Sequence, residues 1–139
     1  MPAIYEHSLT VARADIDRLG HVNNLVYLAW MQAAALAHSA AQGWPPERYE
    51  LMGAGWVVRS HEIKYLQSAY VDEPIVVRTW VADMSKVGST RRYKIVRPND
   101  ECVLASAATR WAFVDFATGG LRRIPEEVWQ AFELADEST

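Results

Sequence analysis

The spacing of apolar and polar residues along this chain switches between a strand period and a helix period. Residues 3–13 alternate loosely, with Ile4, His7, Leu9, Val11 and Arg13 set around Tyr5, Ser8 and Thr10, which predicts a first strand. Residues 25–41 then run without Pro or Gly and are rich in Ala, with Leu, Met and Gln adding helix propensity. Asn23 or Asn24 is suited to cap the start of this helix, and Gly43 to the left-handed position that ends it. Only Gln32, His38 and Ser39 interrupt its apolar residues before Gln42, so the helix is expected to be buried on nearly every side.

Beyond it, Trp44-Pro45-Pro46 opens a short helix or turn that Gly53 and Gly55 stop. Four further strands are predicted at residues 56–69, 75–82, 88–97 and 102–116. Asp72-Glu73-Pro74, Pro98-Asn99-Asp100 and Thr118-Gly119-Gly120 supply turn chemistry between and after them, and Ile124-Pro125-Glu126-Glu127 opens a last helix. Short turns favour antiparallel neighbours, so the fold class is α+β with one antiparallel sheet. A helix apolar on so many sides needs that sheet curved around it, with a second subunit covering the remainder.

Composition narrows the picture further. The 139 residues, half of them hydrophobic, suit a single domain over 1–139. A net charge of −3 gives no global reason to expect nucleic-acid or anionic-membrane partners, and the helical run is too interrupted for a membrane span. Cys102 is the only cysteine, which excludes an internal disulfide, and residues 1–7 lack the features of an export signal; a cytoplasmic location is expected.

The chemistry gathers just before the long helix, in Asp15-Ile-Asp17-Arg-Leu-Gly20-His21-Val-Asn23-Asn24 with Tyr27 one turn later. This block resembles the N-terminal signature of hotdog-fold acyl-CoA thioesterases, the 4-hydroxybenzoyl-CoA thioesterase-like group. Ile63-Lys-Tyr65-Leu with Ala69, Asp72 and Pro74-Ile75-Val-Val77, and Ala107 with Trp111, Phe113-Val-Asp115, Thr118-Gly119 and Ile124-Pro125, agree with the family in order and spacing. The resemblance implies a hotdog fold with the helix as its sausage, dimerisation through sheet edges, and acyl-CoA hydrolysis at sites on the subunit interface. A homodimer or homotetramer, no cofactor and no metal are the matching expectations.

Thioester hydrolysis needs an attacking oxygen and a donor for the oxyanion. In the matching position the family assigns the aspartate as nucleophile or general base, which here is Asp17; an aspartate carboxylate is ionised at neutral pH, and its alternative is to cap a turn. The family's oxyanion donor corresponds to the backbone N–H of Asn24 or its neighbour, where the helix start favours negative charge. Asn23 and Asn24 side chains can equally serve as plain caps. Asp15 is better suited to ordering the loop than to catalysis, and His21 either orients Asp17 or substrate or is structural. Gly20 provides a positive φ or a close approach to substrate, and Tyr27 lines the acyl pocket or packs in the core.

Asp15, Asp17, His21 and His61 lack the spacing that anchors a metal, and neither a nucleophile elbow nor an activated cysteine is evident. Lys86, Arg91, Arg92, Lys94 and Arg97 form a run without acids; strand alternation forbids one ligand touching all five, and Lys86, Arg91 and Arg92 are the candidates for coenzyme A phosphates. Two rivals stand beside hydrolysis: a non-catalytic acyl-CoA or acyl-carrier-protein binding module, for which Asp17 has no use, and an enoyl-thioester hydratase, whose Asn-His pattern is absent because His21 precedes the asparagines.

Overall fold

The computed structural model describes residues 3–136. Strand β1 (Tyr5–Thr10) is followed by a single 3₁₀ turn (Arg13–Asp15), helix α1 (Asn24–Ala41) and helix α2 (Pro46–Met52). Then come β2 (Ala54–Tyr65), β3 (Pro74–Met84), β4 (Gly88–Arg97), β5 (Cys102–Asp115) and one turn of helix, α3 (Glu126–Trp129). The strands form one sheet in the order β1-β3-β4-β5-β2, antiparallel throughout. Although β2 is second in the chain, it closes the edge opposite β1, and its outer side pairs with no strand among the described residues.

The register explains where the core sits. Val77 faces Ile95, and Ile95 faces Ala105, so three fully buried apolar residues align across β3, β4 and β5 on the face that carries α1. Met31 and Ala34 press into that row from the helix, both with no exposed surface. A second cluster joins Trp44, Tyr49, Phe113 and Val128 at the other end, under α2 and α3.

Helix α1 begins and ends as its sequence predicts. Asn23 accepts the Leu25 N–H at 2.9 Å, and Gly43 adopts φ +92° with its N–H on the Ala40 carbonyl. Its burial does not follow the expectation. Tyr27, Trp30, Met31, Ala34, Ala35 and His38 form one buried stripe, whereas Leu25 and Leu36 are 71% and 56% exposed on the other side. Alanine on both faces hides the stripe in the sequence. The helix packs most closely on β3 and β1, and toward β2 and β5 it is met by fewer residues, Tyr65 of β2 among them.

Two boundaries also move. β2 ends at Tyr65, and the chain peels away so that the Ala69 carbonyl takes the Val22 N–H of the loop before α1. The last helix is only one turn long, because Phe132 turns inward onto the second cluster. Among the described residues no helix is long and apolar enough to cross a membrane.

Candidate active site

The segment between β1 and α1 folds into a small two-ply loop. Ile16 and Val22 form an antiparallel bridge, Asp17 N–H donates to the His21 carbonyl, and Asn23 N–H donates to the Asp15 carbonyl. Residues 15–17 and 21–23 therefore lie side by side. Gly20 makes the reversal at φ +86°, with its N–H on the Asp17 carbonyl; a Cβ there would meet nothing within 4 Å, so the backbone conformation and not close packing calls for glycine. Asp15 ties down the ply, its Oδ2 accepting the Ala12 N–H at 2.9 Å.

Asp17 has two different carboxylate oxygens. Oδ1 accepts the Leu19 N–H at 2.8 Å, the turn cap allowed by its sequence position. Among the described residues Oδ2 accepts no hydrogen bond, and it lies 3.9 Å from His21 Nδ1, an ion-pair distance that is too long for a hydrogen bond. One oxygen thus fixes the side chain while the other stays available, and the side chain is 28% exposed. Beyond it, Asn23 Oδ1 satisfies the second amide of α1, while the Asn24 N–H finds no acceptor among the described residues. A carboxylate oxygen and an open amide thus lie at the positive end of an 18-residue helix.

Other predicted residues lie elsewhere. Tyr27 is 3% exposed and packs edge-on against Trp30 and Tyr65, in the core. The three cations assigned together to phosphate are not brought together. Lys86 is exposed on the β3–β4 turn and Arg92 is exposed on the sheet's outer face, whereas Arg91, one residue earlier in the strand, is buried on the helix side. His61 bonds Thr109 at 2.8 Å on that inner face.

The C-terminal half of α1 holds an arrangement that no motif announces. Arg91 Nη1 lies 2.9 Å from His38 Nδ1 and donates to Thr79 Oγ1 at 3.0 Å, joining α1, β3 and β4. Tyr5 stacks on the imidazole and Phe132 meets its edge. Burial, and then the Arg91 charge, push His38 down to about 4, so it is neutral and accepts at Nδ1. Burial also lowers Arg91 from its ordinary value, yet a guanidinium keeps its proton. Beside this cluster opens a cavity of about 540 Å³, lined by Trp44, Trp56, Val81, Arg91, Trp111 and Phe116 among others. The available signals were His38 as an interruption of the apolar helix and Arg91 as an arginine inside an apolar strand.

The fold and these two positions can be set against known proteins. The sequence pattern of the thioesterase-like superfamily matches residues 11–132. The chain belongs to that superfamily. Thioester hydrolase is accordingly its enzyme class, and the five-stranded antiparallel sheet packed on one long helix is the hotdog fold. A hypothetical protein from Thermus thermophilus superposes with a TM-score of 0.85 at 26% identity, covering 92% of this chain and 96% of that one. The 1,4-dihydroxy-2-naphthoyl-CoA thioesterase of Synechocystis superposes at 0.86 with 16% identity, covering 92% and 94%. A Staphylococcus aureus protein solved in complex with CoA gives 0.86 at 13% identity, covering 92% and 80%. No curated protein matches the chain.

Proposed function

We propose that this protein hydrolyses an acyl-CoA to the free acid and CoA, with Asp17 as nucleophile or general base and the Asn24 N–H as oxyanion donor. Two observations in the loop leading into α1 carry it: among the described residues Asp17 Oδ2 accepts no hydrogen bond and the Asn24 N–H finds no acceptor. As the tetrahedral intermediate forms, negative charge grows on the thioester oxygen, where a fixed amide and the helix dipole stabilise it most. The intermediate then collapses as the C–S bond breaks and the CoA thiolate leaves: where a water deprotonated by Asp17 has attacked, the product is the free acid; where Asp17 Oδ2 has attacked, water next cleaves the resulting anhydride to release the acid and restore the carboxylate. His21, whose Nδ1 is 3.9 Å from Asp17, orients the carboxylate. Gly20 and Asn23 shape the approach to it. Lys86 and Arg92, both exposed, are the remaining candidates for CoA phosphates.

A second copy completes the site in this proposal. Tyr65, at one end of β2, donates from its hydroxyl to the Asn24 carbonyl, while Trp56 at the other end of β2 lines the cavity. Antiparallel pairing of two β2 edges about a two-fold axis sets the Asp17 end of one copy beside the cavity of the other. The same pairing covers the bare side of α1 that carries Leu36. The separation of carboxylate and cavity within one chain then becomes proximity between chains.

Thiol release from a panel of short, long and aromatic acyl-CoAs, run beside Asp17→Asn, tests the chemistry. Turnover by the unmodified protein alone is expected; no release from any ester, or equal release by Asp17→Asn, overturns it. Sedimentation equilibrium tests the assembly. A monomer at micromolar concentration overturns the shared site.

A further inference from the structure

Arg91 is a buried charge without a counter-charge. It is 6% exposed, and among the described residues no carboxylate pairs with it. Its two hydrogen bonds both use Nη1, toward the neutral imidazole of His38 and the Thr79 hydroxyl. Nε and Nη2 donate to nothing in the described protein, and the side chain forms part of the cavity wall. Removing a guanidinium from water is strongly unfavourable unless an anion and further hydrogen bonds replace the lost solvation. His38 and Thr79 hold its geometry and supply no charge. The nearby C-terminal end of α1 offers only about half a negative charge, spread over its carbonyls.

The rest of the wall is mainly apolar and aromatic, with Trp44, Tyr49, Trp56, Trp111 and Phe116; its other polar members are Gln32, Ser39, Ser89 and Glu50, and Glu50 is exposed to solvent. Aromatic walls alone also suit a cation, through their ring faces. A fixed guanidinium inside the same cavity repels one and favours a planar anion that accepts two parallel N–H bonds. We infer that this cavity takes an acyl group with an apolar body and a carboxylate at its far end, which Arg91 reads through its free donors. The inference rests on the hydrolysis proposed above and names its substrate class: thioesters of dicarboxylic acids, in which one carboxyl is esterified to CoA and the other is free. Across the paired β2 edges, the thioester end meets the partner copy's Asp17 while the free carboxylate lies at Arg91.

Two ratios test it, each taken within one protein preparation so that any unfolded fraction cancels. By tryptophan fluorescence, the unmodified protein is expected to bind octanoate at least tenfold more tightly than octanamide, its uncharged isostere. It is likewise expected to hydrolyse adipyl-CoA at least tenfold better than hexanoyl-CoA in kcat/KM. Arg91→Gln brings both ratios near one, while Arg91→Lys, which keeps the charge and loses the fork, retains part of each. Octanamide binding as tightly as octanoate, no binding of either, choline binding more tightly than octanoate, or equal use of the two esters overturns the carboxylate subsite. Hydrolysis that depends on Asp17 but ignores the second carboxylate defeats this inference alone. Octanoate selectivity that Arg91→Gln abolishes, with no thiol released from any ester, upholds the carboxylate site and defeats the proposed reaction.

Discussion

The two ends of α1 carry polar groups under opposite conditions. At the start, Asp17, His21 and Asn24 lie within eight residues of sequence, partly or fully exposed, held by backbone bonds of a short loop. Toward the end, His38, Thr79 and Arg91 come from three elements and are each at most 6% exposed. In the first case a backbone amide fixes one carboxylate oxygen of Asp17 while the side chain stays partly exposed. In the second, burial neutralises the imidazole and leaves the guanidinium dependent on whatever enters the cavity. In the reading proposed above, reactivity is thus placed where the chain is locally determined, and selectivity where the packing of the whole sheet is required.

The largest effect separating the two ends is expected from Asp17→Asn. Loss of a nucleophile or general base lowers kcat/KM by about 10³, or about 4 kcal/mol in the barrier, with the thermal midpoint nearly unchanged because Asn retains an oxygen for the Leu19 N–H. Midway along the helix, Met31→Ala should do the reverse. Met31 is fully buried between helix and sheet, so its truncation costs about 2–5 kcal/mol in a urea titration. An Asp17→Asn protein that unfolds early, or a Met31→Ala protein as stable as its parent, breaks the division of labour.

At the other end the prediction concerns pH. His38 titrates near 4 in the folded chain, against an ordinary value of 6.5, so between these values the unfolded chain binds more protons. Its contribution is complete above pH 6.5 and is lost as pH falls toward 4, up to about 3 kcal/mol. Arg91 is the charged group facing it, while Tyr5 and Phe132 cover it without charge. His38→Gln can still accept from Arg91 and does not titrate. The gap between the two proteins' urea midpoints should therefore change between pH 7 and pH 4.5 in favour of the variant; a constant gap removes His38 from the acid response.

The same division decides what could be read from the sequence. Helix caps, turns and all five strands are local, and β4 runs from Gly88 to Arg97 as its pattern indicates. The loop block from Asp15 to Asn24 is contiguous, so its chemistry was legible as a unit. Burial of α1 was not, because alanines occupy its covered and its bare sides alike. The grouping of Lys86, Arg91 and Arg92 treated neighbours in sequence as neighbours in space, whereas strand alternation sends Arg91 inward and Arg92 outward. Arg91 meets Thr79 and His38 across 12 and 53 residues, a meeting that depends on sheet register.

The smallest expected effect is the most discriminating about the exposed end. Asn23 Oδ1 satisfies the Leu25 N–H, and the Asn24 N–H beside it is left open. Asn23→Ala removes one cap and should cost about 1 kcal/mol of stability, read as a small shift in urea midpoint. Fraying of the first turn loosens the Asn24 amide without removing it, so kcat should fall by less than tenfold, far less than in Asp17→Asn. A loss in kcat as deep as that of Asp17→Asn, with the urea midpoint unmoved, would mean that the Asn23 side chain itself holds the oxyanion and that the open amide is an ordinary helix end.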